Sequence, residues 1–161
     1  MSTISPLRKT LLLVGASRGL GYAMAEEFLQ RNWNVMGTVR GTAQTRLHEL
    51  SQRSPGRIEI ESLDITRPDE IAALRSRLGD REFDILFVNA GVTNDPAETI
   101  GEVTTEEFIR VMVTNALGPM RVLEALYDVV ADGGTISVMT SGQGSITNNT
   151  IGNGNEGSGS E

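Results

Sequence analysis

The sequence contains no cysteine, so disulfide bonds and thiolate metal sites are excluded. It has no apolar run near the ~20 residues that a membrane-spanning helix requires, and residues 1–8 lack the apolar core of a signal peptide. Lysine is scarce too, because Lys9 is the only lysine among the 14 basic residues. These absences predict a protein of a reducing compartment without a membrane span, and we expect it in the cytoplasm.

The charge balance excludes further classes of partner. With 14 basic and 21 acidic residues, the chain carries a formal charge of −7, which argues against a general affinity for nucleic acid or anionic membranes. Any phosphate-binding site must therefore be local. The carboxylates of Asp64, Asp69 and Glu70 have no histidine or cysteine companion, so we predict no metal site. A length of 161 residues suits one domain with a real core.

Short apolar runs alternate along the chain with segments of helical periodicity. This alternation predicts an α/β fold of the Rossmann type, a doubly wound parallel sheet with helices on both faces. Ligands of such a sheet bind at the carboxyl ends of its strands. The predicted strands cover residues 11–14, 33–39, 57–63, 84–88 and 134–139, and the predicted helices cover residues 22–31, 45–52, 66–78 and 104–130.

Local signals define the ends of two of these helices. Thr66 is a candidate N-cap of the third helix, and Thr104 with Glu107 forms a predicted capping box for the last one. Pro119 lies inside that last helix and should bend or interrupt it. The apolar positions of the same helix recur at helical spacing and are predicted as core: Met112, Leu117, Met120 and Leu123.

A glycine-rich segment joins the first strand to the first helix. It reads Gly15-Ala16-Ser17-Arg18-Gly19-Leu20-Gly21 and is called the phosphate loop below. Glycine is needed where a backbone turns tightly and approaches a pyrophosphate, and amides at a helix N-terminus face the phosphates. The loop lacks the Lys-Ser/Thr pair of a triphosphate-binding P-loop, so a kinase or GTPase is disfavoured. The segment therefore predicts a dinucleotide site, with a glycine-rich turn that binds no ligand as the alternative.

Further motifs follow at the ends of the later strands. Asp64-Ile65 ends the third strand, Asn89-Ala90-Gly91 follows Val88 at the end of the fourth, Asn115 lies in the last helix, and Ser141 follows the fifth strand. With the G-x-x-x-G-x-G spacing of the phosphate loop, residues 8–150 resemble the short-chain dehydrogenase/reductase family. The run from Ser141 to Ile146 and the Asn148-Asn149-Thr150 run resemble its carbonyl-reductase-like branch in particular.

The resemblance implies a nicotinamide cofactor and a set of residues that bind it. The segment with Asp64 matches the one whose aspartate meets the adenine in the family, and Asn89-Ala90-Gly91 matches the family's N-N-A-G with valine in place of the first asparagine. The predicted cofactor-binding residues are Gly15, Ser17, Arg18, Gly19, Leu20, Gly21, Arg40, Asp64, Ile65, Asn89, Ala90 and Gly91.

The end of the second strand indicates which cofactor is preferred. NAD-binding sites place an acid there for the ribose hydroxyls, whereas residues 37–40 contain no acid and end in Arg40. A guanidinium suits the 2′-phosphate of NADP(H), and Arg18 could add a second positive charge. We therefore predict that NADP(H) is preferred over NAD(H). The alternative is that Arg40 is a solvated strand-end residue.

The resemblance also implies a catalytic set, of which this sequence holds only part. Ser141 matches the serine that holds the substrate oxygen, and Asn115 matches the asparagine that supports a proton relay. The family's tyrosine, followed four residues later by lysine, is absent, since neither Tyr22 nor Tyr127 has that lysine. Because the proton donor contributes ~10²–10⁴-fold, we expect the 161-residue chain to be a very poor enzyme.

Composition changes abruptly after Ser141. Residues 142–161 are rich in glycine, serine and asparagine, so we predict a cofactor-binding domain over residues 1–141 and a flexible loop or tail beyond it. The family continues into two more strands, which are missing here, and without them the fifth strand has an open edge.

We expect an oxidoreductase, cut short, that acts on a small carbonyl or alcohol and can form a homo-oligomer. A non-catalytic nucleotide-binding or interaction protein with a vestigial site is the alternative.

Overall fold

The computed structural model describes residues 8–95, 97–99, 101–142 and 147. The predicted tail therefore lies outside the described residues, except for Gly142 and Thr147. Strands and helices alternate as the sequence predicts. The strands are β1 (Thr10–Val14), β2 (Asn34–Val39), β3 (Ile58–Ser62), β4 (Phe83–Val88) and β5 (Val130–Val138), and the helices are α1 (Gly19–Gln30), α2 (Arg46–Arg53), α3 (Pro68–Leu78), α4 (Thr105–Met112) and α5 (Gly118–Leu126).

The five strands form one parallel sheet in the order β3-β2-β1-β4-β5. The chain moves outward from β1 in one direction to β3, then crosses back and continues through β4 and β5. This order confirms the doubly wound Rossmann-type fold. Because the winding reverses beside β1, a crevice opens between the loops that follow β1 and β4.

The core lies on both faces of the central strand. Leu11 to Val14 are each fully buried, as expected for a parallel strand covered on both sides. Leu11 and Leu13 point into a cluster with Tyr22 of α1 and Leu47 of α2. The alternate residues Leu12 and Val14 pack with apolar residues of α3 and α5. This two-sided packing fixes the strand ends that carry the site.

The long helix predicted over residues 104–130 is divided into shorter segments. A π-helical turn, Val113–Leu117, separates α4 from α5, and a 3-10 turn, Tyr127–Val129, follows α5. Gly118 N–H bonds to Val113 O, five residues back. Pro119 has no N–H to donate to the carbonyl of Asn115, four residues earlier. The predicted interruption of the helix is confirmed. It begins before Pro119, because the carbonyl that loses its hydrogen bond is that of Asn115, in the preceding turn.

Two predictions about this region need correction. Met112, Leu117 and Met120 are 47%, 38% and 66% exposed, so they are not core, and of the four predicted residues only Leu123 packs against the core. Helical spacing shows that side chains share a face, but it does not show what covers that face. Among the described residues, β5 pairs with β4 alone. β5 begins at Val130 rather than residue 134, with an irregularity opposite β4.

The helix caps agree with the sequence in one case of two. Thr104 caps α4, since Glu107 N–H donates to its Oγ1 at 3.1 Å. The reciprocal half of the capping box is not formed among the described contacts, because the Glu107 carboxylate pairs with Arg110. The Thr66 prediction was wrong: the N-cap of α3 is Arg67, and the Thr66 hydroxyl donates to Asp64 Oδ1 at 2.7 Å.

Candidate functional site

A cleft of about 280 Å³ lies at the carboxyl ends of β1, β2, β3 and β4. Its position is the crevice where the winding of the sheet reverses, as expected for a ligand site in this fold. All the predicted cofactor-binding residues except Leu20 and Gly21 line it. The lining residues are Gly15, Ser17, Arg18, Gly19, Thr38, Val39, Arg40, Leu63, Asp64, Ile65, Asn89, Ala90, Gly91, Val92 and Thr114.

Two glycines let the phosphate loop approach the end of β4. Gly15 has φ +90°, and a Cβ there would lie 2.7 Å from the main chain of Ala90. A Cβ at Gly21 would overlap the carbonyl oxygen of Gly15 and lie 2.6 Å from Asn89 Nδ2. Gly21 is therefore buried beneath the loop rather than in the cleft lining, and its role is to allow close packing.

The N-terminus of α1 faces the cleft without a capping side chain. Arg18 is the N-cap residue, its backbone is extended, and the first turn contains no acid. The first main-chain hydrogen bond of the helix runs from Tyr22 N–H to Arg18 O. The amides of Gly19, Leu20 and Gly21 are thus left for a ligand or solvent, and they favour an anion. The Leu20 side chain is 55% exposed, so only its amide is suited to a cofactor.

Asn89 holds the phosphate loop through its side chain. Its Nδ2 donates to Gly15 O at 2.8 Å, and its main-chain N–H donates to Val14 O at 2.9 Å. The side-chain amide that the sequence analysis predicts to bind the cofactor thus donates to the phosphate loop. Its arrangement is suited to positioning.

Asp64 is held as an ionised acceptor at the end of β3. The hydroxyl and the main-chain N–H of Thr66 donate to its Oδ1 at 2.7 and 2.9 Å. Burial raises the pKa of Asp64, but these hydrogen bonds and the positive charges of Arg40 and Arg67 outweigh it, so the pKa lies below its ordinary value. The carboxylate can therefore accept a hydrogen bond at neutral pH.

Arg18 and Arg40 are the two guanidinium groups that line the cleft, and both residues are exposed. Neither side chain makes a hydrogen bond or an ion pair with any residue that the structure describes. Most of the arginines outside the cleft make a hydrogen bond or an ion pair, as where Arg81 donates to both oxygens of Glu59 at 2.7 Å. Two cations that make no hydrogen bond or ion pair within the described residues lie on one cleft, and they give a local positive site in a chain whose net charge is −7.

The two predicted catalytic residues lie outside the cleft lining. The Asn115 side chain forms two hydrogen bonds with the main chain of Val92, so it grips the segment that follows β4. Ser141 is exposed, three residues past the end of β5. Met139 N–H donates to Val88 O at 2.8 Å, so the pairing with β4 continues almost to Ser141. Both residues thus lie near the edge of the sheet where β4 and β5 end, as Asn89 does.

The two tyrosines of the chain lie away from the cleft. Tyr22 is 4% exposed within α1, and its hydroxyl donates to Glu26 at 2.7 Å. Tyr127 is 63% exposed in the turn before β5. Neither lines the cleft.

Several lining residues were missed by the sequence reasoning, notably Thr38 and Thr114. Both are buried polar residues, at 1% and 8% exposure. The only signal for Thr38 was a hydroxyl two residues before Arg40, on a strand whose residues 35–39 are otherwise apolar or glycine. That signal is weak, because threonine is common in strands.

The comparisons with known proteins agree with this geometry. A family model described as enoyl-(acyl carrier protein) reductase matches residues 15–153. The chain is 34% identical over 123 residues to the 3-oxoacyl-[acyl-carrier-protein] reductase FabG of Vibrio cholerae, covering 73% of this chain and 48% of that protein. The chain belongs to the short-chain dehydrogenase/reductase family. The resemblance of residues 8–150 and the Rossmann-type fold are both confirmed.

Solved structures of the family include two with a bound nucleotide. One is a short-chain dehydrogenase/reductase from Burkholderia multivorans with bound NADP, at 59% identity and a TM-score of 0.85, covering 89% of this chain and 63% of that one. The other is a carbonyl reductase from Pseudomonas aeruginosa in complex with NADP, at 31% identity and a TM-score of 0.82, covering 89% and 63%.

The chain spans part of the length of its curated relatives. It covers 61% of a Rhodococcus dehydrogenase at 27% identity, and 48% of the Vibrio protein. Across the ranges that the structure describes, no helix is long and apolar enough to cross a bilayer. The same ranges contain no group of three histidine, cysteine or acidic side chains arranged to hold a metal ion.

Proposed function

We propose that this chain is the cofactor-binding segment of an oxidoreductase that uses NADP(H) in preference to NAD(H). The observation that carries the proposal is the pair of exposed guanidinium groups, Arg18 and Arg40, on a cleft with an open helix N-terminus. The NADP bound in the Burkholderia and Pseudomonas relatives supports it.

The residues present fit such a cofactor. The open amides at the start of α1 suit the pyrophosphate, and a Cβ at Gly15 or Gly21 would block the loop that presents them. The ionised Asp64 can accept a hydrogen bond from the adenine amino group. The guanidinium groups of Arg18 and Arg40 would hold the 2′-phosphate. When bound, the nicotinamide supplies a hydride to a carbonyl or takes one from an alcohol.

A carbonyl or alcohol is the substrate class that the relatives favour, because one is a 3-oxoacyl reductase and another a carbonyl reductase by name. In this proposal Ser141 donates a hydrogen bond to the substrate oxygen. Asn115 sets the loop at Val92 that borders the cleft. The sequence has no tyrosine with a lysine four residues later, so we expect residues 1–161 alone to bind the cofactor without appreciable turnover.

Direct binding measurements test the cofactor assignment. Dissociation constants for NADP⁺ and NAD⁺ should be measured by titration calorimetry on the unaltered chain, on Arg40→Asp and on Arg31→Asp. We expect the unaltered chain to bind NADP⁺ more tightly. Arg40→Asp should weaken NADP⁺ by about ten- to a hundredfold, the value of a charge-assisted hydrogen bond, and NAD⁺ far less.

Arg31→Asp is the matched control for net charge. Arg31 lies just after α1 and pairs with Glu27 on the surface, and it does not line the cleft. It should leave both affinities unchanged. Equal losses of NADP⁺ and NAD⁺ in Arg40→Asp would contradict the assignment.

A nucleotide-binding protein without catalysis is the second candidate, because Tyr22 and Tyr127 both lie outside the cleft lining. Turnover of carbonyl compounds with NADPH separates the two. If the protein is an oxidoreductase, a longer chain that includes a tyrosine-lysine pair should reduce carbonyl compounds with NADPH. If it only binds the nucleotide, that longer chain should not reduce them.

A further inference from the structure

The phosphate loop is attached to the end of β2 at a single residue, Thr38. Gly15 N–H donates to Thr38 Oγ1 at 3.0 Å, and Ala16 N–H donates to Thr38 O at 2.8 Å. Thr38 is 1% exposed, so these hydrogen bonds are shielded from water. The side chain and the main chain of one residue thus fix the first two residues of the loop.

Packing beside Thr38 supports the same attachment. A Cβ at Gly37 would lie 3.0 Å from the Ala16 Cβ and 2.7 Å from Leu47 Cδ2. The absence of a side chain at Gly37 therefore gives Ala16 room to lie against β2. The start of the phosphate loop therefore packs closely against the end of β2.

Thr38 also lies two residues before Arg40. Arg40 directly follows the last residue of β2, and both residues line the cleft. The same strand end therefore carries a hydroxyl that holds the phosphate loop and a guanidinium that is assigned to the 2′-phosphate. The end of β2 would therefore determine the distance between the pyrophosphate site and the 2′-phosphate site of a bound dinucleotide.

We propose that Thr38 is a positioning residue for NADP(H), whose hydroxyl fixes the phosphate loop at the correct distance from Arg40. The inference rests on the proposed function and adds to it the residue that couples the pyrophosphate site to the 2′-phosphate site. Removing the hydroxyl leaves the buried amide of Gly15 without its acceptor. The phosphate loop is then free to shift relative to β2, while Arg40 keeps its place directly after the strand.

This coupling predicts different effects on different ligands. NADP⁺ needs the loop and Arg40 at once, whereas 2′-AMP carries the 2′-phosphate but no pyrophosphate. The Thr38→Val variant, which keeps the shape and removes the hydroxyl, should weaken NADP⁺ by about tenfold, the equivalent of ~1.4 kcal/mol. It should change 2′-AMP affinity less than twofold. Thr38→Ser restores the acceptor and should recover most of the NADP⁺ affinity.

Thr10→Val is the matched control. Thr10 is the first residue of β1, at the end away from the phosphate loop, and its hydroxyl also makes hydrogen bonds, to Glu82 O and Asp84 Oδ2. It should leave both affinities unchanged. Affinities of all four proteins for NADP⁺ and 2′-AMP are measured by titration calorimetry.

Loss of NADP⁺ alone in Thr38→Val, with recovery in Thr38→Ser, supports the inference. Equal losses of both ligands, unaltered NADP⁺ binding, or no recovery with serine would overturn it. If the unaltered chain binds neither ligand, or binds NADP⁺ no better than NAD⁺, the proposed function fails instead.

Discussion

The side-chain amide of Asn115 pairs with both main-chain polar groups of Val92. Its Nδ2 donates to Val92 O at 2.7 Å, and its Oδ1 accepts from Val92 N–H at 2.8 Å. Arg110 reinforces this attachment by donating to Thr93 O at 3.0 Å. The segment after β4 is therefore held by side chains from α4 and the π-helical turn. An asparagine predicted to serve catalysis is, in its observed contacts, a clamp on the rim of the cleft.

Removing this clamp should loosen the segment without unfolding the protein. In Asn115→Ala, we expect the amide of Val92 to exchange with solvent about fivefold faster, because one hydrogen bond contributes ~1 kcal/mol. Hydrogen exchange followed by NMR measures this rate. Met120→Ala changes an exposed side chain of the following helix and should not alter it. An unchanged Val92 rate in Asn115→Ala would show that other contacts hold the segment.

A methyl group at Gly21 should disrupt the phosphate loop. The added Cβ would overlap Gly15 O and press on Asn89 Nδ2, so the loop must move away from β4. We expect Gly21→Ala to lose ~1–3 kcal/mol of unfolding free energy, the usual cost of overpacking, measured by urea denaturation. The same variant should also bind NADP⁺ poorly.

Gly101→Ala is the control for this substitution. A Cβ at Gly101 would meet no atom within 4 Å, and its φ is not positive. This variant should be as stable as the unaltered chain. If the two variants were equally stable, the close packing of α1 against the loop would not matter energetically.

The ionised state of Asp64 should appear in the dependence of stability on pH. Its pKa in the folded chain lies below the ordinary 3.8, so the carboxylate stabilises the fold above that value. This contribution is lost as the pH falls through the lowered pKa. Asn cannot ionise, so Asp64→Asn should be less stable than the unaltered chain at neutral pH, and the difference should disappear in strong acid.

Urea denaturation between about pH 7 and pH 2 measures the effect. Asp132→Asn is the matched control, because it removes an exposed carboxylate from β5, far along the chain from the cleft residues, and it should follow the unaltered profile. A constant difference between Asp64→Asn and the unaltered chain at every pH would mean that the hydrogen bonds to Thr66, and not the charge, are what the substitution removes.

The strand ends show how far sequence reasoning reaches. The sequence alone predicts that Gly15, Arg40, Asp64 and Asn89 share one cleft, because parallel strands bring their carboxyl ends to a common edge. The capping pattern at Thr66 leads to a wrong prediction, because the Thr66 hydroxyl can hydrogen-bond either with the helix amides or with Asp64, and in the structure it bonds with Asp64. A capping pattern does not decide such a choice.

Contacts between distant segments account for the rest. Thr38 pairs with Gly15, and Asn115 with Val92, each across 23 residues of sequence. No local pattern marks either pairing, because a threonine on a strand and an asparagine on a helix usually have other partners. Their roles become visible only when both segments are in place.

The sequence by itself determined the fold class, the family and the position of the cleft at the strand ends. It could do so because hydrophobic periodicity, glycine spacing and strand-end residues are local or regularly repeated signals. Only the tertiary structure decided that Met112 and Met120 are exposed, that Asn89 and Asn115 hold loops, and that Thr38 fixes the phosphate loop. These outcomes depend on which surfaces and polar groups meet after folding, and hydrogen-bond partners far apart in sequence are chosen by packing rather than by propensity.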